Sequence, residues 1–576
     1  MAAHKWPLGM YVPQCTPAPA PVGSYSQRQR YPYPYGVRHP CRSLKLHRHT
    51  VSAFSFQASR VRVRSSGLPR PYGGPYGDSD VTPRRHGHGG RVLFLSNGHG
   101  EDEISACIIH ALNRHPFLGE DSSRGDTSSS SFVSDSSECL IDISALPLVG
   151  QGFAYRRLAD QYNNVDVIGD AENLRDMPSG GFVYMEPVKQ LSRDVKAGLI
   201  GTLARQWRAV AEWSVQGEGG LIVAVGDILP LAFAAFAPPK TIRTKTPYAF
   251  VGCAKSQHYL TDVPFDNDND NDKQVNWKDV DEYPHARPWI ERRLAPGCVY
   301  LPWEVARVAD ERCVLACPRD AATTEALRQA VHTRRRNNGS TTAAEGAAHV
   351  KYLGNPMLDI AAAMPCGGVW NVDKCRTVIA VLPGTRAGEA VHNLRRCLRA
   401  CHGYAQSVPR DSAEFLLPIP PSALPWHAVR ASLLAEGFRC AVRDDCFVST
   451  RHGARLRVSS HPSAFGDAIA MAHGGIAAAG TATEQLCARG VPVAAVPGDG
   501  PQFTLRFAEA QQRLLGEWSL LFDETFALNP QHAGRALAHA LSDPSHADMC
   551  RRNALARSGA VGSASDAVAE ALVGLL

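Results

Sequence analysis

Between residues 91 and 500, short runs of Val, Ile, Leu and Phe alternate with longer stretches of helical period. Runs that are apolar at nearly every position suit parallel strands covered by helices on both faces, so the pattern reads as repeated βαβ units. The first run spans 91–96 and leads through Asn97-Gly-His-Gly-Glu-Asp102 into a helical stretch that reaches Leu112. Leu221–Val225 and Tyr248–Gly252 follow, each with a glycine at its end where the chain must turn above a sheet. A second series comprises 377–382, 414–418, 468–472 and 491–496, with a helix predicted over 505–515. Two doubly wound α/β sheets in tandem are expected, within 90–365 and 366–576. No repeat of fixed period is evident, which sets solenoids aside.

Length agrees with this division, since 576 residues exceed the roughly 250–300 at which a single core stops growing. Hydrophobic residues at 44% and charged ones at 20% fit a globular enzyme and not a fibrous or disordered chain. Polar stretches at 122–137, 266–272 and 334–346 read as solvated loops. The Asn/Asp alternation at 266–272 lacks the glycine and terminal Glu of a calcium loop. The most apolar segment, 221–237, is broken by Gly226, Asp227 and Pro230, so no membrane span is predicted and any membrane contact is peripheral.

Charge alters the picture only at the N-terminus. The formal net charge is +6, yet residues 1–77 contain no Asp or Glu while Arg28, Arg30, Arg38, Arg42, Arg60, Arg62, Arg64 and Arg70 are spread through a Pro-, Tyr- and Ser-rich stretch. That composition is typical of an organellar transit peptide, so 1–89 is expected to be a leader directing the chain to a chloroplast, with a mitochondrion as the alternative. A basic arm for acidic lipid or nucleic acid fits less well, because the sequence turns sharply into a strand at Arg91; no nucleic-acid partner is expected. The 16 cysteines include no CxxC pair; Cys313 with Cys317 and Cys397 with Cys401 are read as each sharing a helix face, all as reduced thiols. His47, His49, His86 and His88 lie in the leader, and no metal site or cofactor is expected.

Three glycine-containing turns carry the candidate chemistry. His473-Gly-Gly-Ile-Ala-Ala-Ala-Gly-Thr-Ala-Thr-Glu484 reads as strand, small-residue turn and helix. Glycines 474, 475 and 480 allow close approach to the backbone, and Thr481 and Thr483 open a helix whose free N–H groups attract a diphosphate. Thr481-Ala-Thr-Glu484 is also a capping-box pattern, which is compatible with phosphate binding. In Leu382-Pro-Gly-Thr-Arg386, Gly384 and Thr385 can present amides and Arg386 can pair with a phosphate through its planar fork. Pro497-Gly-Asp-Gly-Pro-Gln-Phe-Thr504 follows a further strand end. Three turns on one rim imply one pocket.

Leu382-Pro-Gly-Thr-Arg386, Gly480-Thr-Ala-Thr-Glu484 and Tyr352-Leu-Gly-Asn-Pro-Met357 resemble motifs of the lipid-A-disaccharide synthases, which have the forms LPGSR, GTATLE and VGHPL. The chain looks like the divergent branch related to those synthases in cyanobacteria and photosynthetic eukaryotes, over roughly residues 91 to 570. The resemblance implies a GT-B fold, two Rossmann-like domains facing a central cleft, with the donor bound mainly by the second. By position, Arg386 would contact the diphosphate, Gly384, Thr385, Gly480, Thr481 and Thr483 would line it, Glu484 would hold the ribose hydroxyls, and Gln502 would touch the sugar. Asp102 aligns with the end of the family's Gly-Glu-x-Ser-Gly-Asp turn, whose earlier Glu has no counterpart here.

The implied activity is transfer of a hexose or N-acetylhexosamine from a UDP-sugar to a lipid-type acceptor, inverting and metal-independent. A general base removes the acceptor's proton while Arg386 and the helix N-terminus assist loss of the diphosphate. Asp102, Asp227 and His99 are the candidate bases; Asp227 reads equally well as a helix cap before Pro230. A UDP-sugar 2-epimerase of the same fold and a catalytically silent nucleotide-sugar-binding module are the rivals. The basic positions from 395 to 399 hint at a membrane surface.

Overall fold

The computed structural model describes residues 90–115, 141–169, 195–261, 282–338, 346–363, 368–385, 389–419, 424–441, 445–498 and 504–576, apart from 197, 218, 284–285 and 374. The predicted leader and the serine-rich and Asn/Asp inserts lie outside the described residues, as does most of the 334–346 stretch.

Six strands build the first sheet: β1 (Gly90–Ser96), β2 (Ile141–Pro147), β3 (Val165–Val167), β4 (Leu221–Val225), β5 (Tyr248–Gly252) and β6 (Cys313–Pro318). Their order is β3-β2-β1-β4-β5-β6, every pair parallel. The second sheet contains β7 (Thr377–Leu382), β8 (Ala413–Pro418), β9 (Phe438–Cys440), β10 (Cys446–Ser449), β11 (Arg455–Ser459), β12 (Gly474–Ala477), β13 (Val493–Ala495) and β14 (Leu520–Leu521). It runs β14-β13-β12-β7-β8-β11-β10-β9. Without the antiparallel β9 and β10 at its edge, it repeats the 3-2-1-4-5-6 order of the dinucleotide-binding folds. The chain is a GT-B fold of two Rossmann-like domains.

The strands read as continuous apolar runs because each face meets its own core. In β1, Leu93 and Leu95 enter one cluster while Val92 and Phe94 enter the other, all four fully buried. In β7, Ile379 and Val381 face one core and Ala380 and Leu382 another. The last helix, Ala564–Val573, returns from the second half to pack Val568, Ala569 and Leu572 into the core under β1. Asp359 secures it by accepting from the amides of Gly562 (2.7 Å) and Ser565 (2.6 Å). The Gly354-Asn-Pro356 strap runs beneath this helix. Gly354 has φ +91°, and a Cβ there would stand 2.7 Å from that of Ala564, so only glycine passes.

Two predictions of local structure are corrected. Residues 468–471 belong to a helix, Ala464–Met471, whose C-cap is Ala472, and the strand begins at Gly474. Alanine and methionine favour the helix, whereas a Cβ at Gly475 would lie 2.4 Å from Leu486 and 3.2 Å from Val493, so the strand is glycine-rich because it is tightly enclosed. Cys313 and Cys317 sit on β6 and not on a helix; Cys397 and Cys401 do share the helix Ala390–Ser407.

Candidate functional site

In a doubly wound sheet the crossovers reverse direction between the first and fourth strands, which opens a crevice at their carboxyl ends. In the first sheet this point lies between β1 and β4, where Ser96 pairs with Val225. The chain leaves β1 through Asn97 and Gly98 into the helix His99–Asn113, and leaves β4 through Gly226 and Asp227 into the helix Ile228–Phe236. The side chains of Asn97, Glu101 and Asp227 gather there. A Cβ at Gly226 would meet Glu101 Cγ at 3.1 Å and Asn97 Cβ at 3.9 Å, so Glu101 lies across the glycine.

Asp227 caps its helix, Oδ1 accepting from the Leu229 amide at 2.9 Å, and both its oxygens accept from Asn97 Nδ2 at 3.3 Å. Burial raises its carboxyl, against the bonds from Leu229 and Asn97 and the Lys255 charge, with Glu304 adding to the rise. Asn97 is 7% exposed, and its Oδ1 is buried with no hydrogen-bond partner. Beyond β5, Lys255 donates to both oxygens of the buried Glu304, at 2.7 and 2.6 Å. Glu101 makes no side-chain bond to another described residue; burial first and the Asp227 charge second push its carboxyl up to about 7 against a bond from its own backbone amide, and the residue is half-buried.

Asp102 is in a different place. It is 1% exposed and accepts from Ser96 Oγ, which accepts from the Tyr155 hydroxyl at 2.6 Å. Burial pushes its carboxyl up to about 8 against the Ser96 bond. An acceptor hydroxyl has no access to this oxygen, and Asp102 is corrected from a candidate base to a buried anchor between β1 and the helix that follows. His99 is the first residue of that helix.

The second sheet has its reversal between β7 and β12, where Leu382 pairs with Ala477. The β7 turn holds Gly384, at φ +92°, and exposed Thr385. The neighbouring β12 turn holds Gly480, which caps the helix Thr481–Cys487, and exposed Thr481. Space above Gly480 is open: the nearest atom to a Cβ there is Phe507 Cζ at 3.9 Å. Because Gly480 and not Thr481 is the cap, the expected capping box does not form and Glu484 is released from that role. Thr483 is corrected too: it is 1% exposed and returns its hydroxyl to the Ala479 carbonyl, so it braces the turn and does not line it. Beyond β13, Gly498 packs against Asn393, whose Oδ1 is 2.1 Å from the ideal Cβ position. Arg386 and Gln502 lie outside the described residues.

Glu484 reaches across to the other sheet. Its Oε2 accepts from Arg319 Nη2 at 2.6 Å, and Arg319, just past the end of β6, also donates to the Cys253 carbonyl at 3.2 Å. The two side chains are 10% and 7% exposed. Gln485 donates to the Met357 carbonyl at 2.9 Å, and Arg513 to that of Tyr259 at 3.1 Å. The carboxyl ends of both sheets therefore face one another. Glu101 and Arg319 are the rim residues that sequence reasoning missed. The signal for Glu101 was its place in the first turn after β1, one residue before the aspartate that motif alignment selects. Arg319 carried none, since its partner is 165 positions away.

No family model matches the chain, and no curated protein matches it in sequence. Similar solved structures include UDP-GlcNAc 2-epimerase from Neisseria meningitidis bound to UDP-GlcNAc, with 11% identity and a TM-score of 0.43 over 84% of this chain and 100% of that one. MurG of Acinetobacter baumannii matches with 11% identity and a TM-score of 0.42, over 84% and 100%. CalG4, the calicheamicin glycosyltransferase, matches with 15% identity and a TM-score of 0.44, over 84% and 98%.

Proposed function

We propose that this chain is a glycosyltransferase that moves a hexosyl or N-acetylhexosaminyl group from a UDP-sugar to a lipid-type acceptor. The observation that carries this reading is the opposition of two crevices: carboxylates beside Gly226 on one rim, open Gly-Thr turns at 384–385 and 480–481 on the other, and Arg319 to Glu484 bridging them. An anion suits the second rim, where the backbone amides of the open Gly-Thr turns face it; Arg386, next in sequence to Thr385, is the cation the reading requires. The acceptor oxygen bonds to the anomeric carbon, the bond from that carbon to the diphosphate breaks, and the nucleoside diphosphate leaves with the electron pair. Glu484 Oε2 is engaged by Arg319, while Oε1 accepts no bond among the described residues and is the atom offered to a ribose hydroxyl.

The basic positions at 395–399 are occupied within the fold: Arg395 bonds Ser432, Arg396 the Ala527 carbonyl, and Arg399 pairs with Glu436. Trp289 and Ile290 are at least half exposed on the helix that also carries exposed Arg293, and half-exposed Trp303 adjoins Glu304, which holds Lys255. Indole and arginine together suit the headgroup region of a bilayer.

Thermal stabilisation of the full chain by a panel of UDP-sugars tests the donor half, since a ligand at 100 times its Kd stabilises by about 2.7 kcal/mol. Arg386→Ala is expected to weaken the stabilising sugar by about 1–3 kcal/mol. Absence of stabilisation by any UDP-sugar would remove the reading.

A further inference from the structure

Among the described residues, Glu101 is the carboxylate at the β1–β4 crevice that no other residue's hydrogen bond engages. Asp102 is sealed against Ser96, Asp227 is spent on the Leu229 amide and Asn97, and Glu304 is paired with Lys255. Glu101 makes no such bond, its Cγ lies over the bare backbone of Gly226, and the residue is half-buried where Asp102 is sealed. Beside it, Asn97 Oδ1 is a buried acceptor without a donor, an atom to which a bound hydroxyl or amide can supply the missing hydrogen.

We propose that Glu101 is the catalytic base, taking the proton from the acceptor hydroxyl as its oxygen bonds to the anomeric carbon. This rests on the glycosyltransferase reading. The electron pair of the broken anomeric bond leaves on the diphosphate, the acceptor's proton passes to a Glu101 oxygen, and water removes it afterwards. The Asp227 carboxyl across Gly226 adds to the basicity of Glu101. The groups that face Glu101 are Asp102 on its own helix, Tyr155 behind β1, Asp227 beyond β4 and Cys253 beyond β5. None of these is a cation; of the cations beyond them, Lys255 is paired with Glu304 and Arg319 with Glu484. A base poised near neutrality is what proton transfer at physiological pH requires, and a carboxyl at about 7 meets that condition.

The test uses the full chain and its Glu101→Gln and Glu101→Asp variants, with UDP-GlcNAc as the probe. Stabilisation by UDP-GlcNAc reads donor binding, and release of UDP with water as acceptor reads turnover between pH 5 and 9. Isotope-edited infrared spectroscopy of glutamate carboxyls, wild type minus Glu101→Gln, reads the proton directly. Expected are unchanged stabilisation in Glu101→Gln, roughly a hundredfold or greater loss of UDP release, partial recovery in Glu101→Asp, and a carboxyl that titrates near 7. Wild-type UDP release in Glu101→Gln, or a carboxyl that titrates near its ordinary value of 4.5, would overturn the assignment. Failure of UDP-sugars to stabilise the wild type would strike the donor reading, and the infrared titration would still decide for or against Glu101 as a neutral-range base.

Discussion

Asp102 shows what a carboxyl does when the fold takes it out of water. Its ordinary value is 3.8, and burial raises it to about 8 in the native chain. Between these values the native state holds a proton that the unfolded chain has released, so unfolding stability falls as pH rises. The contribution is whole below about pH 4 and gone above about pH 8. Glu101 adds the same sign over a narrower window, from 4.5 to about 7. Asp102→Asn, which keeps an acceptor for Ser96 but cannot ionise, is therefore expected to flatten the decline in melting temperature between pH 5 and 8. An identical decline in the variant would mean that Asp102 is ionised in the native protein.

At the scale of elements, two glycines explain how the helices Ala390–Ser407 and Pro530–Ser542 cross so closely. A Cβ at Gly403 would stand 2.1 Å from the Gln531 carbonyl oxygen, and one at Gly534 only 1.9 Å from that of Ala400. Backbone cannot swing aside as a side chain can, so either Gly→Ala change must part the helices. The expected cost is at least the 1–3 kcal/mol or so of an overpacked core. Gly480 provides the contrast, because its Cβ position is open and its φ is −80°. Gly480→Ala is expected to leave the melting temperature nearly unchanged and to weaken UDP-sugar binding. Calorimetry with and without the nucleotide separates the two kinds of glycine, and an inert Gly403→Ala would refute the close-approach account.

Across the whole molecule, the Arg319 to Glu484 pair is a charged link between the two sheets. Removing one partner of a buried pair strands the other, at a cost of about 3–5 kcal/mol, whereas replacing both with apolar residues is often neutral. Glu484→Gln or Arg319→Met alone should lower stability, and the combined Arg319→Met and Glu484→Leu variant should recover most of it. Additive losses would show that the charges do not see one another. The exposed tryptophans belong to this scale as well. The full chain is expected to sediment with phosphatidylglycerol vesicles more than with phosphatidylcholine, and replacing Trp289 and Trp303 with Ser should abolish the difference without altering UDP-sugar stabilisation. Equal sedimentation of both proteins would exclude the two tryptophans from membrane contact.

Periodicity along the chain was enough to show two α/β halves and the strands Leu221–Val225, Tyr248–Gly252 and Thr377–Leu382, because a strand buried on both faces has nothing but apolar positions. Glycine placement revealed where the turns at 384 and 480 rise above the second sheet. It could not reveal strand β12, whose Gly474 and Gly475 read as a turn until Leu486 and Val493 are seen against them. Nor could it separate Glu101 from Asp102, adjacent acids one helical step of 100° apart. That rotation sends one into the core against Ser96 and leaves the other over Gly226. Local sequence determined the elements and their turns, because backbone preference and alternation act over a few residues. Tertiary structure alone decided which carboxylate is sealed, which is spent and which is free, because burial and partners such as Tyr155 behind Ser96 and Asn97 beside Asp227 are set by elements 59 and 130 residues apart in the chain.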